Sequence, residues 1–385
     1  MFPLLVAASL LAAQPTPVVT RCQFTTAQVG STITDRHLGP CSIELADNLL
    51  WHLDRSDSVS GYLDGQVTRR TTGKGAVVYV CDTGVLAAHQ EFQRDGGGNA
   101  VVGGINAIAE VPQATCLGNP ATNPCFGSET ELIIFTHGTA VASVVAGKNI
   151  GVAPDAKIVA IRIQGNEADW MIAMKKVIEH AYAEGTPPFK TAIINISGGV
   201  GFSTQPQFEA MIRKMIAGVD KDGNPDPNGK KFLFVVAAGN VDPRDARTNK
   251  PAQCAADLDI TLMPGNLGKL DGLVTVGGIT SLNELWAGSC FGAAVDVLAP
   301  AADMFVASIA GIDQYRYLPL FYNSGTSYAT PYVSGMAARI LEEHPDYTPA
   351  EIEAKLKMSP SIVHGLPVPV DPVQEPAPVK RRSLH

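Results

Sequence analysis

Four short stretches set side chains of catalytic type at the edges of apolar segments: "CDTGV" with Asp82, "THGTAVASVVAG" with His137, "AAGN" with Asn240 and "SGTSYATP" with Ser327. A serine attacks a carbonyl only when three conditions are met. A base must take its proton, a carboxylate must orient and balance that base, and donors must meet the developing oxyanion. The four stretches supply a carboxylate, an imidazole, an amide and a hydroxyl. Each alone has a bland structural reading: a turn, a helix cap, a strand exit, a loop. Together, each at an element boundary, they point to acyl chemistry at Ser327.

Those side chains need elements to carry them. Short β-branched runs predict buried strands at 76–82, 157–163, 191–197, 231–239 and 273–279. Between them, apolar residues at helical spacing predict helices at 137–147, 168–185 and 207–218. Continuous apolar strands alternating with helices imply an α/β fold: a doubly wound, mostly parallel sheet with helices on both faces. Function in such sheets gathers beyond the carboxyl ends of the strands. Asp82, "SGG" (197–199) and Asn240 all follow strand ends. His137 heads a helix of small residues, and Ser327 lies at another helix start, where the helix dipole favours negative charge. Pro331 is expected within the first turn or so of that helix, where a missing N–H costs little.

The chain has 385 residues, a net charge of −8 and 45% hydrophobic residues, enough for a sizeable core. The acidic balance argues against nucleic acid as a partner. An apolar run from Phe2 to Ala13 fits a secretory signal, residues 1–13, with cleavage after about Ala13. No later segment has the ~18 uninterrupted apolar residues of a membrane span. Residues 14–48 form an N-terminal arm, 49–360 the main domain and 361–385 a proline-rich extended tail. Seven cysteines without a C-x-x-C pair argue against a zinc cluster or a thioredoxin-like site. Export favours disulfides, and sequence order suggests Cys22–Cys41, Cys116–Cys125 and Cys254–Cys290, one of 15 pairings open to six cysteines. Cys81 ends an apolar run and is expected to be a buried free thiol. Residues 109–130, rich in Pro and Gly, read as a surface loop.

The order Asp…His…Ser is that of subtilisins, and it differs from the orders of α/β-hydrolases and chymotrypsin-like proteases. With "VVYVCDTGV", "HGTAVASVVAG", "GVAPDAKIVAIRI", "VVAAGN", "VTVGGI", "VDVLAP" and "SGTSYATPYVSGMAA", residues 49 to 360 resemble the subtilisin-like serine proteases, and more closely their proteinase K-type branch. The stretch "LWHLDRSDSVSGYLDGQ" (50–66) resembles the start of that branch's mature domain. The resemblance implies an Asp82–His137–Ser327 triad and an oxyanion hole of the Asn240 side chain and the Ser327 N–H. It implies peptide-bond hydrolysis through an acyl-enzyme, with no cofactor needed for the chemistry. Ser197, Gly198 and Gly199 would line the substrate groove, the partners would be proteins or peptides, and the enzyme would be a secreted monomer.

The chain also departs from the family. Tyr328 follows the nucleophile, where the family usually has Met, and Thr136 and Ala140 flank His137 where the family often has Gly and His. Gly198 stands where a leucine would wall the groove, and "QGNEADW" lacks the family's substrate-pairing Gly-x-Gly segment. About 35 residues between the signal and "LWHLDRS" are fewer than a folded inhibitory propeptide needs. Some relatives bind structural calcium; by position Asp296 would supply a carboxylate, with backbone oxygens near Asp271 and Leu273, although a buried Asp capping a loop is an equal reading. His89 is read as ordering the loop after Asp82. Two other functions stay open at this point: a non-catalytic binding or scaffold protein on the same fold, and an esterase or peptide-bond-forming transferase.

Overall fold

Runs of β-branched and aliphatic residues with no polar face are stable as strands only when helices cover both faces of the sheet. The computed structural model, which describes residues 18–29, 32–41, 49–65, 67–108, 137–163, 167–198, 206–240, 270–317 and 324–371, shows that arrangement. Its central sheet has seven strands: β3 (Val77–Asp82), β4 (Val101–Asn106), β5 (Lys157–Arg162), β6 (Thr191–Ile196), β7 (Lys231–Ala237), β8 (Leu273–Ile279) and β9 (Val297–Pro300). They lie in the order β4-β5-β3-β6-β7-β8-β9, and every neighbouring pair is parallel. The five strands expected from sequence are all present. Two more flank them: β4, interrupted by Gly103 and Gly104, and β9, only 4 residues long and ending in proline.

Alternate residues of each strand feed opposite faces. Val78 and Val80 of β3 join one buried cluster, and Val77, Tyr79 and Cys81 join the other. The first cluster packs beneath α2 (His137–Ala146) and α5 (Thr326–Glu343); the second packs beneath α3 (Glu167–Ala181) and α4 (Pro206–Ala217). A short α1 (Trp51–Asp54) precedes the sheet, and α6 (Pro349–Lys357) follows α5. The last helix opens with a capping box, Thr348 accepting from the Glu351 amide while the Glu351 carboxylate accepts from the Thr348 amide. Cys81 is buried and free, as its apolar run suggested.

The remaining strands form smaller sheets. β1 (Val18–Val29) and β2 (Thr32–Cys41) pair antiparallel with Cys22 opposite Cys41, and β1 continues onto β11 (Gln314–Tyr317), which pairs with β10 (Val306–Ala307). The arm expected at 14–48 is thus a hairpin added to the edge of a sheet. Cys116, Cys125 and Cys254 lie outside the described residues. The folded part also runs past residue 360. β12 (Ile362–Val363) pairs with β13 (Leu366–Pro367), Val368 is buried, and Asp371 forms ion pairs with Arg70 and Arg339. Within the described part of this segment, up to residue 371, Pro367 ends β13 and Val363 and Val368 are buried, so it forms an ordered strap.

Candidate active site

The turn after β3 begins the site. Asp82 ends the strand, and Gly84 takes a left-handed φ of 110°, which turns the chain sharply. Helix α2 then approaches this turn so closely that a Cβ on Gly138 would lie 2.2 Å from the Gly84 carbonyl and 3.1 Å from the Asp82 Cβ. Glycine at 138 is what lets the helix start there. The Gly138 amide, which has no intrahelical acceptor, donates to Thr83 Oγ1 at 3.0 Å. Residues 138 to 146 of α2 are all buried, so the helix is wedged against the sheet and His137 is carried at its exposed tip.

His137 Nδ1 lies 2.9 Å from both carboxylate oxygens of Asp82. Asp82 is almost wholly buried, with 3% of its side chain exposed, whereas 31% of the imidazole is exposed. A buried carboxylate facing Nδ1 fixes the tautomer with hydrogen on Nδ1, so Nε2 is left as the basic nitrogen. The Thr83 amide donates to Asp82 Oδ1 at 2.8 Å and helps fix the carboxylate's orientation. His89, by contrast, orders the loop beyond. Its Nδ1 accepts from the Glu91 amide, so Nε2 carries the hydrogen and donates to the Gln314 carbonyl at 2.8 Å.

Ser327 is the second residue of α5, as its motif suggested, and Tyr328 follows it into the core. The Tyr328 ring is buried, with its centroid 5.8 Å from that of His137, so the start of α5 and the tip of α2 meet at these two side chains. Ser327 Oγ donates to the Ser197 carbonyl at 2.8 Å, just beyond β6. Ser197 is itself held from behind, its hydroxyl accepting from Asn195 Nδ2, whose Oδ1 accepts from Ser334 of α5. No described atom lies within 4 Å of where a Cβ on Gly198 would project. Gly199 and Thr136 lie outside the described residues. Pro331 is the sixth residue of α5, just past its first turn. Its missing N–H leaves the Ser327 carbonyl without its i+4 donor, which loosens the helix at the nucleophile.

Asn240, two residues past the β7–β8 backbone bonding at Ala238, is clamped by the residue before Ser327. Its Oδ1 accepts from the Thr326 amide at 2.9 Å and from Thr326 Oγ1 at 2.8 Å. A backbone N–H can only donate, so this clamp decides the amide's orientation and turns Nδ2 outward. A Cβ on Gly325 would stand 3.4 Å from Asn240 Nδ2 and 3.6 Å from the Ser327 amide, so two N–H donors flank one small space. The Ser327 amide belongs to the first helical turn, where the backbone offers no acceptor. Thr326 was not singled out from sequence; its only signal was its place inside "SGTS". The Ser197 carbonyl was likewise missed, because a backbone acceptor leaves no mark on residue type.

Asp82, Ser197 and Asn240 thus leave the carboxyl ends of three adjacent strands, β3, β6 and β7. This is where the chain's progress across the sheet reverses, the usual place for a ligand crevice. Asp296 stands apart, at the opposite ends of the strands. Its Oδ1 meets Lys357 Nζ at 2.7 Å and its Oδ2 accepts from the Thr275 amide at 2.9 Å. Among the described residues no group of three or more His, Cys, Asp or Glu side chains is arranged to hold a metal ion, and no helix is long and apolar enough to cross a membrane.

Known proteins resemble this chain in sequence and fold. An extracellular serine proteinase of Thermus sp. (strain Rt41A) is 30% identical over 311 residues, 80% of this chain and 60% of its own length. An alkaline extracellular protease of Yarrowia lipolytica is 31% identical over 302 residues, 76% of this chain and 54% of its own. The chain therefore spans somewhat over half the length of these relatives. The crystal structure of a cold adapted subtilisin-like serine proteinase superposes with a TM-score of 0.58 at 25% identity, covering 83% of this chain and 97% of that one. Residues 73–370, the span that runs from the turn before β3 to the strap after β13, match the Peptidase_S8 family. By that match, and by the relatives that share its sheet, this chain belongs to the subtilase family.

Proposed function

We propose that the chain is a secreted serine endopeptidase that hydrolyses peptide bonds through an acyl-enzyme. The observation that carries this reading is the His137–Asp82 pair, 2.9 Å to each carboxylate oxygen, set beside the N-terminal turn of α5 that bears Ser327. In the resting arrangement the Ser327 hydroxyl hydrogen faces the Ser197 carbonyl, so attack begins with rotation of Oγ toward His137. Oγ then bonds to the scissile carbonyl carbon as its proton passes to His137 Nε2. Asp82 stays ionised and balances the imidazolium. The carbonyl oxygen, now an oxyanion, is met by Asn240 Nδ2 and the Ser327 amide. Collapse of the tetrahedral intermediate expels the amine, which leaves with the proton from His137. Water then repeats the sequence on the acyl-enzyme and frees Ser327. Ser197, Gly198 and Gly199 would lie along the substrate. Export is supported by the apolar Phe2–Ala13 run and by relatives whose names call them extracellular.

The test pairs a fluorophosphonate probe with a protein substrate. Wild-type protein should be labelled at Ser327 and should release new amino termini from casein, while Ser327→Ala should do neither and lose about 10⁶-fold in kcat. Unlabelled Ser327 would favour a scaffold. Labelling with ester cleavage or transpeptidation but no casein products would favour the esterase or transferase reading.

A further inference from the structure

At the ends of the strands opposite the site, β8 and β9 begin and α6 ends. Two carboxylates converge there, Asp296 with 12% and Glu353 with 7% of its side chain exposed. Lys357, the last residue of α6, reaches both: its Nζ is 2.7 Å from Asp296 Oδ1 and 2.5 Å from Glu353 Oε1. The outer oxygens are taken as well. Asp296 Oδ2 accepts from the Thr275 amide at 2.9 Å, and Glu353 Oε2 accepts from the Gly272 amide at 2.5 Å. All four carboxylate oxygens therefore face a hydrogen-bearing nitrogen. Nearby carbonyls are also engaged, Gly272 by the Phe234 amide and Thr275 by the Asp296 amide.

This donor set does not suit calcium. Calcium takes six to eight oxygens at about 2.3–2.6 Å, with lone pairs turned inward. Here each carboxylate oxygen already meets a backbone N–H or the ammonium, and a divalent ion at Asp296 Oδ1 would have to displace the lysine. Burial alone would lower the Lys357 ammonium, but its bonds to Asp296 and Glu353 outweigh that and hold its pKa above the ordinary lysine value. We propose that Lys357 is the resident cation of this corner: its ammonium joins α6 to the starts of β8 and β9, and Asp296 holds no calcium.

The arrangement spans three segments, so its loss is read as stability and not as activity. The full chain, stripped with EDTA, is melted with and without calcium chloride and titrated with calcium by calorimetry, as wild type, Asp296→Asn, Lys357→Gln and Lys357→Arg. The calcium stoichiometry and the calcium-induced shift in Tm should be the same in wild type and Asp296→Asn, whatever their size. Lys357→Gln should lower the Tm measured in EDTA by on the order of 2–6 °C, and Lys357→Arg, which keeps the charge, should recover most of that shift. Loss of one equivalent of calcium, or of the calcium-induced shift, in Asp296→Asn would overturn the proposal. A Lys357→Gln protein as stable as wild type in EDTA would also overturn it, and it decides the matter alone should Asp296→Asn fail to fold.

Discussion

In the proposed mechanism Asn240 does two jobs with two atoms, and substitution can separate them. Its Oδ1 accepts from the Thr326 amide and hydroxyl, and its Nδ2 faces the space shared with the Ser327 amide. Asn240→Ala removes both atoms. Losing one oxyanion donor lowers kcat by about 10²–10³, equivalent to about 2.7–4 kcal/mol of transition-state stabilisation. The same change strips the acceptor from two donors of Thr326, which is fully buried, at about 1–3 kcal/mol of folding stability for each donor left unpaired. Asn240→Asp keeps the acceptor, and its negative charge suits the N-terminus of α5, so stability should stay near wild type. That charge, however, stands against the oxyanion. At about 4 Å and an effective dielectric of about 20 the repulsion is roughly 4 kcal/mol, on top of the lost donor. Activity should therefore fall in the order wild type, Ala, Asp, while Tm falls in the order wild type, Asp, Ala. Steady-state kinetics on a peptide anilide and thermal melts on the same preparations read both orders. Retention of kcat/KM within about fivefold in Asn240→Ala, or an Asp variant more active than the Ala variant, would refute the oxyanion role.

Other outcomes follow from neighbouring contacts. Asp82→Asn keeps the shape but offers an amide to His137 Nδ1, so the imidazole turns to the wrong tautomer; kcat should drop about 10⁴-fold with little change in Tm, and a loss under tenfold would contradict the assignment. Wild-type kcat/KM should decline on the acid side between about pH 8 and 5 as His137 takes a proton, and a flat profile would exclude it as the base. Because Tyr328 stands beside the nucleophile in place of an oxidisable Met, mild peroxide should leave activity largely intact; rapid inactivation with a sulfoxide found near Ser327 would say otherwise. Burial, with the nearby Asp54 and Asp64 charges, raises the Asp57 carboxyl from 3.8 to about 7. The native state then binds more protons than the unfolded chain between these values, and stability is lost as pH rises through them. Asp57→Asn should thus raise stability at pH 8, by on the order of 1–2 kcal/mol after screening of a partly exposed group, and gain nothing near pH 4. Equal effects at both values, followed by denaturant melts, would remove the electrostatic cause.

Residue type and spacing determined much of this protein. Five apolar runs fall on strands whose observed ends lie within two residues of those expected, since a strand buried on both faces leaves an unbroken apolar signature. Asp82, His137, Asn240 and Ser327 were legible because side-chain chemistry coincides in the same motifs with a strand end for two of them and a helix start for the other two. β4 and β9 were not, because glycines broke one run and brevity hid the other. Tertiary structure alone decided the clamp of Thr326 on Asn240, the Ser197 carbonyl under Ser327, the near approach that Gly138 permits, and the lysine at Asp296. Each joins segments far apart in the chain, often through backbone groups that every residue carries. Composition and period describe what one segment buries; they do not describe which distant amide or ammonium will meet it.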